Sequence, residues 1–277
     1  MGTVKNSKSA GQRQNSGEVM MKTVSTVDEL HANWADVVNF RMAGECVPFR
    51  YDFPPVETIV DRLRQDDGAK IRSGIPGNSL DVSSTIDGFT ELPIEEAMKR
   101  PFGLAHFSLS RFYGSGDILE GFEEQVMVRW RQFMADAGFT WHRCNPIIFI
   151  SGPRCATNYH FDRSTVIAWQ ITGTKRFCGL RDPDRWLPVP PMAEKGPAEP
   201  GAISKPSGIT EADVLACTMS PGDVLWNVIL TPHWVEAGES VAMSVNLSHG
   251  GLRHRGTLCR NDAYLHQWYA KNPSSFL

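Results

Sequence analysis

The chain has 277 residues, 41% apolar and 21% charged, enough apolar material for a sizeable core and too much for wholesale disorder. Its 28 Lys and Arg against 31 Asp and Glu leave a net charge of −3, with none of the basic runs that nucleic-acid binders use. No apolar stretch approaches the roughly 18–20 residues of a membrane helix. The six cysteines are scattered without a C-x-x-C pair, which gives zinc-ribbon and thioredoxin-type chemistry no support. They read as reduced thiols of a cytoplasmic protein, packed as small hydrophobes. What stands out is 24 Gly, 18 Pro and 8 Trp, a mix that suits a mainly β fold with many tight turns.

Residues 1–22 have no apolar core between their charges and read as a flexible leader rather than a secretory signal. A helix is expected over Asp28 to Phe40, with Thr26 as N-cap and Glu29 at capping-box spacing. A second opens at Pro55, carries Ile59, Val60 and Leu63 on one face, and stops at Asp67-Gly68. The strongest helical period runs from Asp117 to Ala137 through Ile118, Phe122, Val126, Trp130, Phe133 and Met134, with Gly138 as its stop. Beyond Gly138 the pattern changes to short apolar runs at 147–150, 165–171, 175–180, 214–219, 223–230 and 241–247, separated by Gly, Pro, Asn and Asp. These are the strands of a sandwich or barrel. Thr172-Gly173-Thr174 reads as a hairpin turn, and Ser220-Pro221-Gly222-Asp223 as a type II turn. Pro188 to Pro206 is too rich in proline for a central strand and reads as an inserted loop. A short helix is expected over 262–272. The expected organisation is one domain over 23–277, with helical support over 23–138 and a β core over about 100–250.

His160-Phe161-Asp162 places an imidazole and a carboxylate two residues apart, on one side of an extended strand. Eight histidines and 31 acidic residues in 277 positions make one such pair unremarkable by itself. A second imidazole would complete two His and one carboxylate, a set that leaves adjacent positions on Fe(II) open. His233 follows ten residues after Asp223, past a run that would carry the chain across a sheet. Lys175 shares strand parity with Phe177, so if Phe177 points inward Lys175 does too, and an inward ammonium needs an anionic partner. The other histidines read as core or surface residues, with His249 and His254 at a solvated strand exit. Trp169, Trp226 and Trp234 read as packing residues, and Arg154 and Arg176 as exposed.

Taken in order, Thr157, His160-x-Asp162, Lys175, Pro221-Gly222-Asp223-Val224-Leu225-Trp226, Pro232-His233 and Ser244-Val245-Asn246 resemble the JmjC/cupin-like 2-oxoglutarate oxygenases. The similarity is greatest to the asparaginyl-hydroxylase-like branch. The resemblance covers about residues 100–250 and implies a double-stranded β-helix (jelly-roll) core. It implies that His160, Asp162 and His233 bind Fe(II), that Lys175 pairs with the distal carboxylate of 2-oxoglutarate, and that Thr157 and Asn246 line the cosubstrate pocket. Tyr113 is the candidate for an aromatic hydroxyl in that pocket. The sequence departs from the branch at Val166, where a polar residue is usual, and in the Pro-rich insert at 188–206. The implied activity is oxidation of a C–H bond with O2 and 2-oxoglutarate, releasing succinate and CO2. With no reader domain, zinc finger or basic tail, a small-molecule or amino-acid-like substrate is preferred over a protein hydroxylase or demethylase reading. A non-oxidative metal cupin is the third alternative, and a C-terminal helix that dimerises is expected by fold analogy.

Overall fold

The computed structural model describes residues 21–73, 88–186 and 205–272. Most of the leader and of the 188–206 insert therefore lies outside the described residues. The strands in chain order are β1 (Thr23–Val24), β2 (Phe40–Met42), β3 (Lys70–Ser73), β4 (Phe102–His106), β5 (Phe139–Thr140), β6 (Arg143–Ser151) and β7 (Thr165–Thr172). They continue with β8 (Lys175–Leu180), β9 (Val214–Met219), β10 (Val224–Asn227), β11 (Trp234–Ala237), β12 (Ala242–Gly250), β13 (Arg253–His254) and β14 (Thr257–Leu258). A large sheet has the order β1-β2-β10-β7-β12-β6-β4-β3, and a small one has β11-β8-β9. A third, of short strands, has the order β14-β13-β5.

From β7 to β12 the chain alternates between the two main sheets: β7 lies in the large one, β8 and β9 in the small, β10 in the large, β11 in the small and β12 in the large. This winding is the double-stranded β-helix that the resemblance implies. It also corrects the hairpin expected at Thr172-Gly173-Thr174, because β7 and β8 do not pair with each other. Gly173 turns a corner between sheets at φ +63°, and a Cβ there would lie 2.4 Å from the Val241 carbonyl oxygen. Gly173→Ala is expected to lower unfolding free energy by at least about 2 kcal/mol, measured by denaturant titration. The second corner is the type II turn: Asp223 N–H donates to Ser220 O at 2.9 Å and Gly222 supplies φ +93°. An ion pair from Arg41 on β2 to Asp223 ties this turn to the neighbouring strand.

Alternation along the central strands sorts side chains into two cores. Ile167, Trp169, Trp226, Val245 and Leu247 face the helices and join the main cluster, with Trp130, Phe122 and Phe139. Ala168, Leu225, Phe177, Leu215 and Met219 form the apolar floor between the two sheets. Trp234 packs with Tyr159 and Cys178 on the outer side of the small sheet. The three tryptophans thus act as packing residues. All six cysteines are free, and five are buried.

The helices differ from expectation at their ends. The first spans Val27–Asn33, its capping box formed by Thr26 and Glu29, and it stops early because Phe40–Met42 is taken into the large sheet beside β10. The second, Val56–Arg64, buries Ile59, Val60 and Leu63 as its period requires. The third does not begin at Asp117: Gly121 at φ +77° breaks the chain, and a π-helical stretch, Glu123–Val128, precedes the α-helix Arg129–Asp136. The wider π turn lets the neighbours Val126 and Met127 both be buried. The C-terminal helix spans Arg260–Lys271. Among the described residues, no helix is long and apolar enough to cross a membrane.

Candidate metal centre

His160 and His233 face each other across an antiparallel bridge, with reciprocal N–H···O bonds of 2.9 and 2.8 Å and ring centroids 4.2 Å apart. This pairing joins the segment after β6 to the entry of β11. Asp162, two residues past His160, is anchored through its carbonyl, which accepts from Leu230 N–H at 2.8 Å. Leu230 adopts φ +57°, so the chain turns sharply between β10 and His233. The expected strand over 223–230 therefore ends at Asn227, and buried Asn39 accepts the freed Val228 N–H at 2.8 Å. The result is that one ligand atom each from His160, Asp162 and His233 lie within 4.8 Å of one another.

Both rings are held in one tautomer. His160 Nδ1 lies 2.6 Å from Asn158 O, and His233 Nδ1 lies 3.0 Å from Thr231 O. A carbonyl only accepts, so each Nδ1 carries a proton, and in the neutral ring it is Nε2 that holds the lone pair a metal needs. Burial, and secondarily the neighbouring His160, push the His233 pKa down to about 4, so that ring is neutral at physiological pH. Phe177 stacks on it, centroids 5.0 Å apart, as an apolar backing. The chemistry of this donor set, two imidazoles and one carboxylate, suits Fe(II).

Lys175 opens β8 on the same inner face as Phe177 and is 5% exposed. Its Nζ donates to Phe149 O and to Ser244 Oγ, each at 3.0 Å. No carboxylate among the described residues forms an ion pair with it, and burial alone pushes its pKa down to about 7. A buried ammonium facing only neutral acceptors is a site prepared for an anion. Asn246, two residues past Ser244 and paired with Ala168 and Ile147, presents the same face, and its buried Oδ1 has no hydrogen-bond partner among the described residues. Thr157 lies beside β11, where its hydroxyl accepts Val235 N–H at 2.9 Å and so keeps its own proton for another acceptor.

Tyr113 is not brought to this group. Its ring packs 5.5 Å from Phe122, and its charged neighbours are Glu123 and Arg131 on the helical side. It follows Phe112 in a short turn that the helix-facing core buries, on the far face of the large sheet from Asn246. His249 also departs from expectation. It shares strand parity with Val245 and Leu247, is fully buried, and accepts from the Trp130 indole at 2.7 Å. His254 stacks on His31, centroids 4.5 Å apart, and Arg176 pairs with Glu211 and Glu236 outside the pocket. Arg154 is exposed, beside Glu239. Two residues of the site escaped the sequence reading. Ser244 holds Lys175, and Asn227 donates to Asp162 Oδ2 at 2.9 Å. Strand parity with Asn246 and with Leu225 was the available signal for each.

No protein-family model matches the chain, and no curated protein matches it. Among solved structures, an X-ray structure of YcfD from Escherichia coli superposes with a TM-score of 0.51 at 16% identity, over 84% of this chain and 54% of that one. A structure of the same protein, described as a ribosomal oxygenase in complex with cobalt and 2-oxoglutarate, matches with a TM-score of 0.44 at 16% identity, over 73% of this chain and 45% of that one. The chain thus spans about half the length of the structures it resembles. The expectation of a small-molecule or amino-acid-like partner is withdrawn: the protein of these solved structures is itself described as a ribosomal oxygenase, by a macromolecular assembly and not a metabolite. In its architecture the chain is a double-stranded β-helix, the fold it shares with the solved neighbour, with two histidines and one aspartate gathered where its two sheets meet.

Proposed function

We propose that the chain is an Fe(II)- and 2-oxoglutarate-dependent oxygenase that hydroxylates a protein substrate. The observation that carries the oxygenase reading is Lys175: a metal alone leaves its buried charge unexplained, whereas a dicarboxylate cosubstrate supplies the missing anion. His160, Asp162 and His233 would hold the iron, and Lys175, Thr157 and Asn246 the cosubstrate. Iron, when bound, supplies the redox chemistry by which O2 and 2-oxoglutarate convert a C–H group to C–OH, with succinate and CO2 as coproducts. The chain's part is geometric and electrostatic. Asn158 O and Thr231 O keep both Nε2 lone pairs available. Phe177 and the apolar floor of Ala168, Leu225 and Met219 exclude water beneath the site.

A protein substrate is supported by the description of the solved neighbour as a ribosomal oxygenase. Phe107 supports it too: half-exposed, it lays its ring 6.0 Å from Phe149, whose carbonyl holds Lys175. An aromatic step of this kind leads from the surface toward the cosubstrate pocket.

Anaerobic addition of Fe(II) and 2-oxoglutarate should produce a weak visible charge-transfer band. Admission of O2 with ribosomal proteins should then give succinate and a 16 Da gain on one of them, by mass spectrometry. Zinc binding without any 2-oxoglutarate dependence would defeat the oxygenase reading; succinate coupled only to metabolites would defeat the protein substrate. A pH dependence also follows. A carboxylate beside Lys175 raises its pKa from about 7, so binding at pH 8 takes up a proton and affinity falls as pH rises above 7. Calorimetry at pH 8 in two buffers of different ionisation enthalpy should detect that uptake, and identical heats would exclude it.

A further inference from the structure

We infer that Asn227 is a positioning residue that holds the Asp162 carboxylate in the orientation that binds the metal. This rests on the metal-site reading proposed above.

Asn227 is the last residue of β10 and is 2% exposed. Alternation places it on the inner face with Leu225, whereas Val224 and Trp226 pack toward the helices. Its Nδ2 lies 2.9 Å from Asp162 Oδ2 and 3.4 Å from His233 Nε2, and those two atoms are 3.7 Å apart. The amide nitrogen therefore sits astride the Asp162–His233 edge of the ligand triangle. A carboxylate only accepts, so the amide end facing Asp162 must be the NH2 group. Its Oδ1 is then turned away, buried and without a hydrogen-bond partner among the described residues.

That arrangement is poor as mere packing. An apolar side chain would fill the same place between Leu225 and His233 without stranding a buried acceptor. What the amide provides is a donor to one carboxylate oxygen. Asp162 is a third exposed, so without that donor it would be free to rotate or to chelate through both oxygens. Occupying Oδ2 favours binding through the other oxygen, which keeps positions on the ion open for cosubstrate and O2.

The test uses the full chain with Co(II) as probe. Wild type should bind Co(II) with a defined d–d absorption spectrum. Asn227→Ala should weaken Co(II) binding by about 10–100-fold and alter that spectrum, while the metal-free chain keeps its melting temperature. Asn227→Leu, which fills the volume but removes the donor, should behave alike and serves if the alanine variant does not fold. Unchanged Co(II) affinity and spectrum in the variants would overturn the role of Asn227 alone. A wild-type chain that binds no Co(II) would overturn the metal site and this inference with it. A lowered melting temperature with the spectrum intact would reduce Asn227 to a structural residue.

Discussion

Lys175→Met is expected to abolish 2-oxoglutarate-dependent turnover and, at the same time, to make the ligand-free chain more stable. The two effects share one cause. Nζ is buried, and among the described residues its partners are Phe149 O and Ser244 Oγ and no carboxylate, so without cosubstrate the ammonium is desolvated and unpaired there. Removing one partner of a buried ion pair costs about 3–5 kcal/mol, which is a loss of roughly two to four orders of magnitude in cosubstrate affinity. Without cosubstrate the same charge is a liability. Its pKa falls from 10.5 in the unfolded chain to about 7 in the fold, so below pH 7 the cost of carrying the proton into the fold is fully present. Between pH 7 and 10.5 the unfolded chain binds the extra proton, and wild-type stability recovers as pH rises. Methionine, of similar length, fills the site without the charge. Denaturant melts should show the variant more stable by roughly 1–4 kcal/mol at pH 7, with the gap closing toward pH 10. A variant less stable than wild type at pH 7, or one with normal 2-oxoglutarate affinity, would contradict this account of Lys175.

Asp162→Ala should remove succinate formation to below about a thousandth of the wild-type rate, equivalent to roughly 4 kcal/mol. It takes away the only anionic ligand of the proposed set, leaving two neutral imidazoles to hold a divalent ion. Because the Asp162 side chain is a third exposed, the metal-free fold should tolerate the change. His233→Ala should be equally inactive but also less stable, since it empties a buried site beneath the Phe177 ring. Comparing the melting temperatures of the two metal-free variants with their Fe(II) affinities separates ligand loss from unfolding. Substantial turnover by Asp162→Ala would refute the ligand assignment.

Much of the candidate site was legible in the chain because its signals are local. The i and i+2 spacing of His160 and Asp162, the shared parity of Lys175 and Phe177, and the Pro-Gly-Asp turn each depend on neighbouring residues and on the two-residue repeat of a strand. What was misread lay at long range. Tyr113 looked plausible as a pocket hydroxyl, but its side of the large sheet is decided by helix packing around Phe122. His249 looked solvated beside its glycines and arginines, yet Trp130, 119 residues earlier, covers it.

Most strands of the β-rich half, the capping box at Thr26 and Glu29, and an ordered set of ligand residue types could be read from the chain alone. Hydrophobic period, turn chemistry and capping are properties of a few adjacent side chains. Which strands share a sheet, and with it that Gly173 turns a corner rather than a hairpin, was settled by long-range packing. It also brought His233 opposite His160, set Asn227 against Asp162 and left Lys175 without a carboxylate partner among the described residues. Those outcomes depend on pairing between distant segments, from 65 residues for Asp162 and Asn227 to more than 180 for β2 and β10, where the strand period restricts the face a side chain takes but not the partner it meets.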